Sequence, residues 1–418
     1  MLKTPMARAI SLATLGATLA IPSLAQAAFI EDSKATLELR NFYMNRDFRD
    51  AAPGAQSKAE EWAQGFILRY ESGFTEGDIG FGVDAIGLLG VKLDSGPGRA
   101  GTGILPGGFG DDVPDEYSQL GAAAKAKISN STLRAGTLMP KLPSVSANDS
   151  RLLPQTFQGF QLTSQEINGL TLNAGRLYQN SLRNLSRSDD IAMNAPTGAR
   201  GITGATAENE FWFAGGSFAV DNNLTLGYNY GNLDQNYKQH IVNAVHVHPI
   251  SEGQSFKTDL RFARSTDDGN TNVDNNAFGA MFTYAISGHA FGLAYQKMNG
   301  DTGYAYLAGT DPFLVNYVQI SDFANPGEKS WQARYDYNFA AMGIPGLTFM
   351  TRYITGDGFQ VGGASAKEWE RNTDIGYVFQ DGALKNLGVR LRNATLRRSY
   401  ASDMDENRLI VSYTLPLM

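Results

Sequence analysis

The sequence predicts an all-β fold, a transmembrane antiparallel β-barrel of about eighteen strands. Three observations lead there. Apolar and polar residues alternate with a period of two along almost the whole chain, as in a sheet with two unlike faces. Tight, turn-coded connections alternate with long polar ones. Outside the N-terminus no apolar run approaches the ~20 residues of a membrane-spanning helix, although 42% of the 418 residues are hydrophobic and only 18% are charged. A soluble β-sandwich or propeller would also bury an aromatic face, but would not need short and long connections in strict alternation.

The first segment reads as a signal peptide. Lys3 and Arg8 give a positive start, Ala9 to Pro22 is a short apolar stretch, and Ala25-Gln26-Ala27 supplies a small-x-small cleavage site. Residues 1–27 would be removed, leaving 28–418 as a single barrel domain. Strand-like segments then fall at 35–44, 61–72, 78–92, 116–128, 131–140, 157–166, 170–180, 208–219 and 224–234. The second half adds 236–249, 255–264, 276–286, 289–298, 328–340, 347–355, 369–380, 387–395 and 407–418. In one of these, Trp331, Ala333, Tyr335 and Tyr337 alternate with Gln332, Arg334, Asp336 and Asn338.

The connections carry as much information as the strands. Ser129-Asn130-Ser131, Asn168-Gly169, Asp221-Asn222-Asn223, Ser251-Glu252-Gly253, Ser287-Gly288-His289 and Gly343-Ile344-Pro345-Gly346 are turn signals. Asn-Gly suits a type I′ hairpin because both central residues need φ > 0. The connections at 93–115, 141–156, 181–207, 299–327 and 356–368 are long and polar, and the glycine-rich 96–110 reads as a mobile outer loop. Short turns at one end and long loops at the other describe an outer-membrane barrel. Lipid offers no partner to a backbone N–H, so such a sheet must close on itself. A barrel of 16–18 strands leaves an aqueous channel.

With the aromatic face outward, the inward residues include Arg40, Arg69, Lys125, Lys127, Arg134, Lys257, Arg261, Arg334, Arg352, Arg390, Arg392 and Arg408. Inward acids are fewer: Glu38, Glu71, Asp84, Asp259, Asp336 and Asp374. The net charge is −7, so a basic inner wall implies that the acids concentrate in loops and turns. Arg390 and Arg392 share a face about 7 Å apart along one strand. Arg334 and Arg352 flank the 343–346 turn almost symmetrically, which sets them opposite each other, and closure brings Arg40 to the wall of Arg408. A column of guanidinium groups is a track for anions, because the fork grips a carboxylate bidentately and keeps its charge.

Other chemistry finds little support. No cysteine is present, which excludes a disulfide scaffold, a Cys-ligated zinc site and thiol catalysis. The acidic balance argues against nucleic-acid binding. His246-Val247-His248 sets two imidazoles on one strand face, but no third ligand lies nearby in sequence. No nucleophile elbow or phosphate-binding loop occurs. No catalytic residue, cofactor or metal is expected, and the chain does not read as an enzyme.

Several motifs resemble one family. Arg40-Asn41-Phe42-Tyr43, Asn45-Arg46-Asp47, Glu61-Trp62-Ala63-Gln64-Gly65-Phe66, Phe81-Gly82-Val83-Asp84-Ala85, Ser150-Arg151-Leu152-Leu153-Pro154-Gln155-Thr156-Phe157 and Gly327-Glu328-Lys329-Ser330-Trp331-Gln332-Ala333-Arg334-Tyr335 are similar to the OprD-type substrate-specific porins of Gram-negative bacteria. The resemblance spans essentially the whole mature chain. It implies eighteen strands, a third loop folded inward to narrow the pore, and a basic ladder that guides carboxylate-bearing solutes by passive diffusion. Carried over by position, the ladder is Arg334, Arg352, Arg390, Arg392 and Arg408, and the constriction draws on Arg40, Arg46, Asp149, Arg151 and Arg183. The stretch Asn148-Asp149-Ser150-Arg151-Leu152-Leu153 is most similar to the branch for cyclic and aromatic monocarboxylates, such as benzoate-like acids. A channel for basic amino acids and small peptides, or a less selective general porin, are the alternatives. The implied partners are small carboxylate solutes, outer-membrane lipid and lipopolysaccharide, and the barrel assembly machinery, with the chain a monomer or weak homotrimer.

Overall fold

A sheet set in lipid has to satisfy its own edges, and this one does so by closing. The computed structural model describes residues 29–418 apart from 111 and 195–199; the expected signal segment 1–27 lies outside the described residues. The barrel begins with β1 (Lys34–Arg49), β2 (Lys58–Glu71), β3 (Gly80–Asp94), β4 (Glu116–Ile128) and β5 (Ser131–Leu138). The two-residue strands β6 (Lys141–Leu142) and β7 (Val145–Ser146) pair only with each other. The barrel resumes with β8 (Thr156–Ser164), β9 (Leu170–Ser181), β10 (Phe211–Ala219), β11 (Leu224–Leu233), β12 (Tyr237–Ser251), β13 (Gln254–Asp267) and β14 (Asp274–Ile286). It finishes with β15 (His289–Asn299), β16 (Lys329–Asn338), β17 (Leu347–Val361), β18 (Ala364–Val378), β19 (Gly388–Arg398) and β20 (Asp403–Pro416). Eighteen strands form one antiparallel sheet, and β20 returns to β1 in register from Thr36↔Pro416 to Arg49↔Asp403.

All eighteen expected segments are strands. The outer connections, numbered in chain order from L1 (50–57), include four long ones: L2 (95–115), L3 (139–155), L4 (182–210) and L7 (300–328). The fifth long connection expected, 356–368, is not a loop. β17 and β18 run through it and turn at Gly362 and Gly363, with φ of 59° and 81°. Gly356 and Gly358 look like loop chemistry. Gly356, however, sits under Phe323 and Glu328 of L7, where a Cβ would collide, and a bulge between Gly356 and Phe359 absorbs the irregularity.

The apolar core lies inside the barrel. Phe42, Met44, Ile67 and Leu88 point inward and pack against Ile104 and Leu105 of L2 and Leu152 and Leu153 of L3. The expectation of a mobile outer loop at 96–110 is thereby corrected: Ala100, Ile104 and Leu105 are fully buried. A second cluster sets Phe157, Phe211, Phe213 and Tyr237 against Val145 of L3, Ile191 and Met193 of L4, and Leu307 of L7. Each large side chain buried this way contributes roughly 1.5–3 kcal/mol, so the loops are held in the lumen by core packing. The outer face keeps the exposed apolar side chains that lipid requires, among them Phe218, Leu226, Phe262, Phe278, Leu293 and Trp331.

Gly136 of β5 has a φ of 129°, and a Cβ there would collide with the Ala122 carbonyl and lie 2.8 Å from Ala123 Cα. Gly136→Val should therefore cost about 1–3 kcal/mol. A lower melting midpoint on semi-native gels, where the folded barrel migrates faster, is the expected reading.

Candidate functional site

Period-two alternation places Arg334 and Asp336 of β16, Arg352 of β17, Glu370, Asn372 and Asp374 of β18, Arg390 and Arg392 of β19, and Glu406 and Arg408 of β20 on one inner wall. Closure adds Glu38, Arg40 and Arg46 of β1. Arg334 and Arg352 are direct register partners, as the 343–346 turn implied, and Arg392 and Arg408 are likewise opposite each other. Like charges directly opposite are destabilising, and acids offset most of them.

Asp336 accepts two hydrogen bonds of 2.7 Å from Arg334. Asp374 lies 2.6 Å from Arg390 and 2.9 Å from Arg392 Nε; the second pair is off-line for a hydrogen bond and is purely electrostatic. Glu406 is fully buried, and takes Arg408 at 2.6 Å, Arg46 at 2.7 Å and the Gln319 amide of L7 at 2.8 Å. Arg40 pairs with Glu38 and with Asp149, each at 2.7 Å, and donates to the Arg151 carbonyl at 2.7 Å. That set ties L3 to β1, matching the inward third loop that the family resemblance implies.

Three arginines stand apart. Arg352 Nε donates to Asn372 Oδ1 at 2.7 Å, and Arg183 Nη1 to Asn148 Oδ1 at 2.7 Å. Arg151 reaches only the Ser150 carbonyl at 3.1 Å, the Ser150 hydroxyl at 3.2 Å and the Thr102 carbonyl at 3.4 Å. Among the described residues none of these three has a carboxylate partner. Burial, and then the guanidinium groups of Arg408 and Arg183, push Arg151 well below the usual arginine range. Arg183 is lowered too, by burial first and also by Arg408 and Arg46. Positive charge is therefore concentrated where L3 and L4 meet the wall.

A cavity of about 780 Å3 lies below L3. Arg40, Arg334, Arg390, Arg392, Asp149 and Arg151 line it, with Phe42, Met350 and Ile410 as apolar neighbours, and it opens past Gly288, Gly346 and Gly388 at the short-turn end. Arg408 is closed off from it. Its buried guanidinium donates to the carbonyls of Ser150 and Gln319, both at 3.4 Å, and so braces L3 and L7. Arg46, Arg183 and Arg352 are not among the residues that line the cavity.

The inner wall holds more acid than the sequence suggested. Glu61, Glu368, Glu370 and Glu406 are all inward and nearly or wholly buried. The signal for Glu406 was present, since it stands two residues before Arg408 and must share its face. His246 and His248 have ring centroids 6.1 Å apart on exposed outer positions of β12, and among the described residues no group of three acidic or histidine side chains is placed to hold a metal.

The model of the family described as "outer membrane porin, OprD family" matches residues 27–417. Porin D of Pseudomonas aeruginosa is 40% identical, over 93% of this chain and 92% of that protein. The crystal structure of Pseudomonas aeruginosa OpdQ superposes with a TM-score of 0.87 at 59% identity, covering 94% of this chain and 100% of that one. That of Pseudomonas aeruginosa OccK7 (OpdD) does so at 0.85 and 53%, covering 93% and 100%. These relatives are porins, which pass small solutes through a channel and are not enzymes. With a closed eighteen-strand barrel, loops folded into its lumen and relatives matched over nearly their whole length, the chain belongs to the OprD family of substrate-specific outer-membrane porins.

Proposed function

We propose that this porin passes small carboxylate-bearing solutes by passive diffusion, and that its preferred solutes are aromatic and cyclic monocarboxylates such as benzoate-like acids. The observation that carries the reading is that Arg151, which lines the cavity, and Arg183 and Arg352 have no carboxylate of their own. A solute carboxylate supplies what they lack. From there it exchanges onto Arg390 and Arg392, whose shared Asp374 leaves two guanidinium groups on one acid. Phe42, Met350 and Ile410 offer an apolar surface beside these cations for a ring. Solutes bearing amino groups are less well served, because Glu38, Asp149, Asp336 and Asp374 are each already paired with arginine. Release requires that no single contact be strong, as in any conducting pore. In this reading residues 1–27 direct export, the barrel assembly machinery inserts the mature chain, and the barrel works as a monomer or weak homotrimer.

Replacing Arg390 and Arg392 with alanine tests the ladder. The double variant removes both cations and leaves Asp374 bare, so carboxylate flux in proteoliposomes should fall roughly tenfold, about one charge-assisted hydrogen bond. Block of the small-ion current by benzoate should weaken in parallel, with gel mobility of the folded barrel unchanged. Unaltered flux would sink the ladder assignment.

A further inference from the structure

The outer wall carries a second charge pattern, unrelated to the lumen. Near the long-loop rim, Arg49, Lys58, Arg176, Lys238, Arg264 and Arg397 each form an ion pair, with Asp405, Glu60, Glu210, Asp268, Asp274 and Asp405 respectively. On β15 to β18 the pattern changes. Lys297, Lys329, Lys367 and Arg371 alternate with buried inward neighbours and so face outward, and among the described residues none has a carboxylate partner. Lys297 and Lys329 are direct register partners, an arrangement that costs stability unless an anion covers it. Asp357 is the register partner of Lys329 on its other side, yet no ion pair joins them.

The depth of these cations is fixed by what lies beneath them. Tyr295 and Trp331, one register step closer to the membrane centre, have ring centroids 4.5 Å apart, and Tyr353 and Trp369 lie 5.5 Å apart on the next two strands. Tyr and Trp settle at the headgroup level, so Lys297, Lys329 and Lys367, one step beyond them, meet the phosphates of the outer leaflet, while Arg371 lies one step on the membrane side of Trp369. Four adjacent strands spread the cations over about 14 Å, wider than one phosphate needs.

We propose that the outward face of β15 to β18 is a binding site for the phosphorylated headgroup of an outer-leaflet glycolipid. Lys297 and Lys329 take one phosphate, Lys367 extends the contact along the rim, and the acyl chains run down over Trp331 and the exposed Leu293. The site rests on the outer-membrane location of the barrel and is independent of which solute the lumen passes.

Native mass spectrometry of the purified full-length barrel, titrated with lipid A and with dephosphorylated lipid A, provides the test. The natural chain should retain the phosphorylated lipid and not the other. K297Q/K329Q should lower that retention roughly 30-fold, from two lysines near a charged surface, while K238Q, in the ion-paired sector, should leave it unchanged. Excess inorganic phosphate should not displace the lipid. Equal retention of the two lipids by the natural chain would overturn the proposal, and that comparison decides even if K297Q/K329Q does not fold. Undiminished retention in a folded K297Q/K329Q would overturn it as well. So would an equal loss in K238Q, or displacement by free phosphate, which marks a general anion patch.

Discussion

Replacing Arg151 and Arg183 together with alanine should lower permeability to small carboxylates by at least an order of magnitude, the largest functional effect we expect from any pair. Each makes its hydrogen bonds to neutral oxygens only, so no acid of the barrel competes with a solute for either. A charge-assisted hydrogen bond contributes about 1.5–3 kcal/mol, which is tenfold or more per arginine in the occupancy of the constriction. The fold should tolerate the change. Asn148 Oδ1 keeps its bonds from the Ser150 N–H at 2.9 Å and hydroxyl at 2.8 Å, and L3 remains anchored through Arg40 and through Leu152 and Leu153. Reversal potentials across a salt gradient in planar bilayers check this: the pore should move toward cation preference, and carboxylate should cease to bias the current. An unchanged reversal potential would remove both residues from the anion path.

The largest effect on stability should come from Glu406. One buried carboxylate holds Arg46, Arg408 and Gln319. Glu406→Ala leaves two arginines without it in a dry setting, and breaking a buried pair from one side costs about 3–5 kcal/mol. The melting midpoint should fall well below that of the Gly136→Val barrel. The same change should have an opposite effect on conduction: two freed guanidinium groups beside Arg151 and Arg183 should tighten anion binding, so that benzoate blocks the current for longer. Glu406→Gln, which keeps the shape and loses the charge, should show the longer block with a smaller loss of stability. Shorter block in both variants would mean that Glu406 shapes the pore by holding L7 and not by neutralising the wall.

The strands were legible because each has lipid on one side and water or packed loop on the other, a contrast that period-two alternation records directly. Register follows from the turns, which is why the 343–346 turn alone sets Arg334 and Arg352 opposite each other. Alternation separates two faces but does not say what an apolar inward residue touches. Phe42 shares the inward face of Arg40 by period two, but only the structure reveals Leu152 in its cluster, or Val145 in that of Phe211. The inward course of L2 was hidden for the same reason, its glycines outweighing Ile104 and Leu105. Pairings between distant strands were also beyond sequence spacing: Arg40 meets Asp149 across 109 residues, and placing Asp149 and Arg151 at the constriction depended on the family resemblance. The inner acids Glu370 and Glu406 are readable by period two, but their complete burial under L7 is not.

The β1–β20 seam has a consequence for biogenesis. Arg46 and Glu406 are register partners across it, 360 residues apart in the chain, and Arg40 and Arg408 stand on its two sides. Arg40 and Arg46 therefore join the arginine wall only when the final pair of strands zips together. A partly inserted sheet is a scaffold without a filter, and contacts of such long sequence separation form late and slowly. Selectivity in this porin is switched on by the same event that seals it against the membrane, so a barrel that stalls open exposes strand edges to lipid and cannot yet discriminate among solutes.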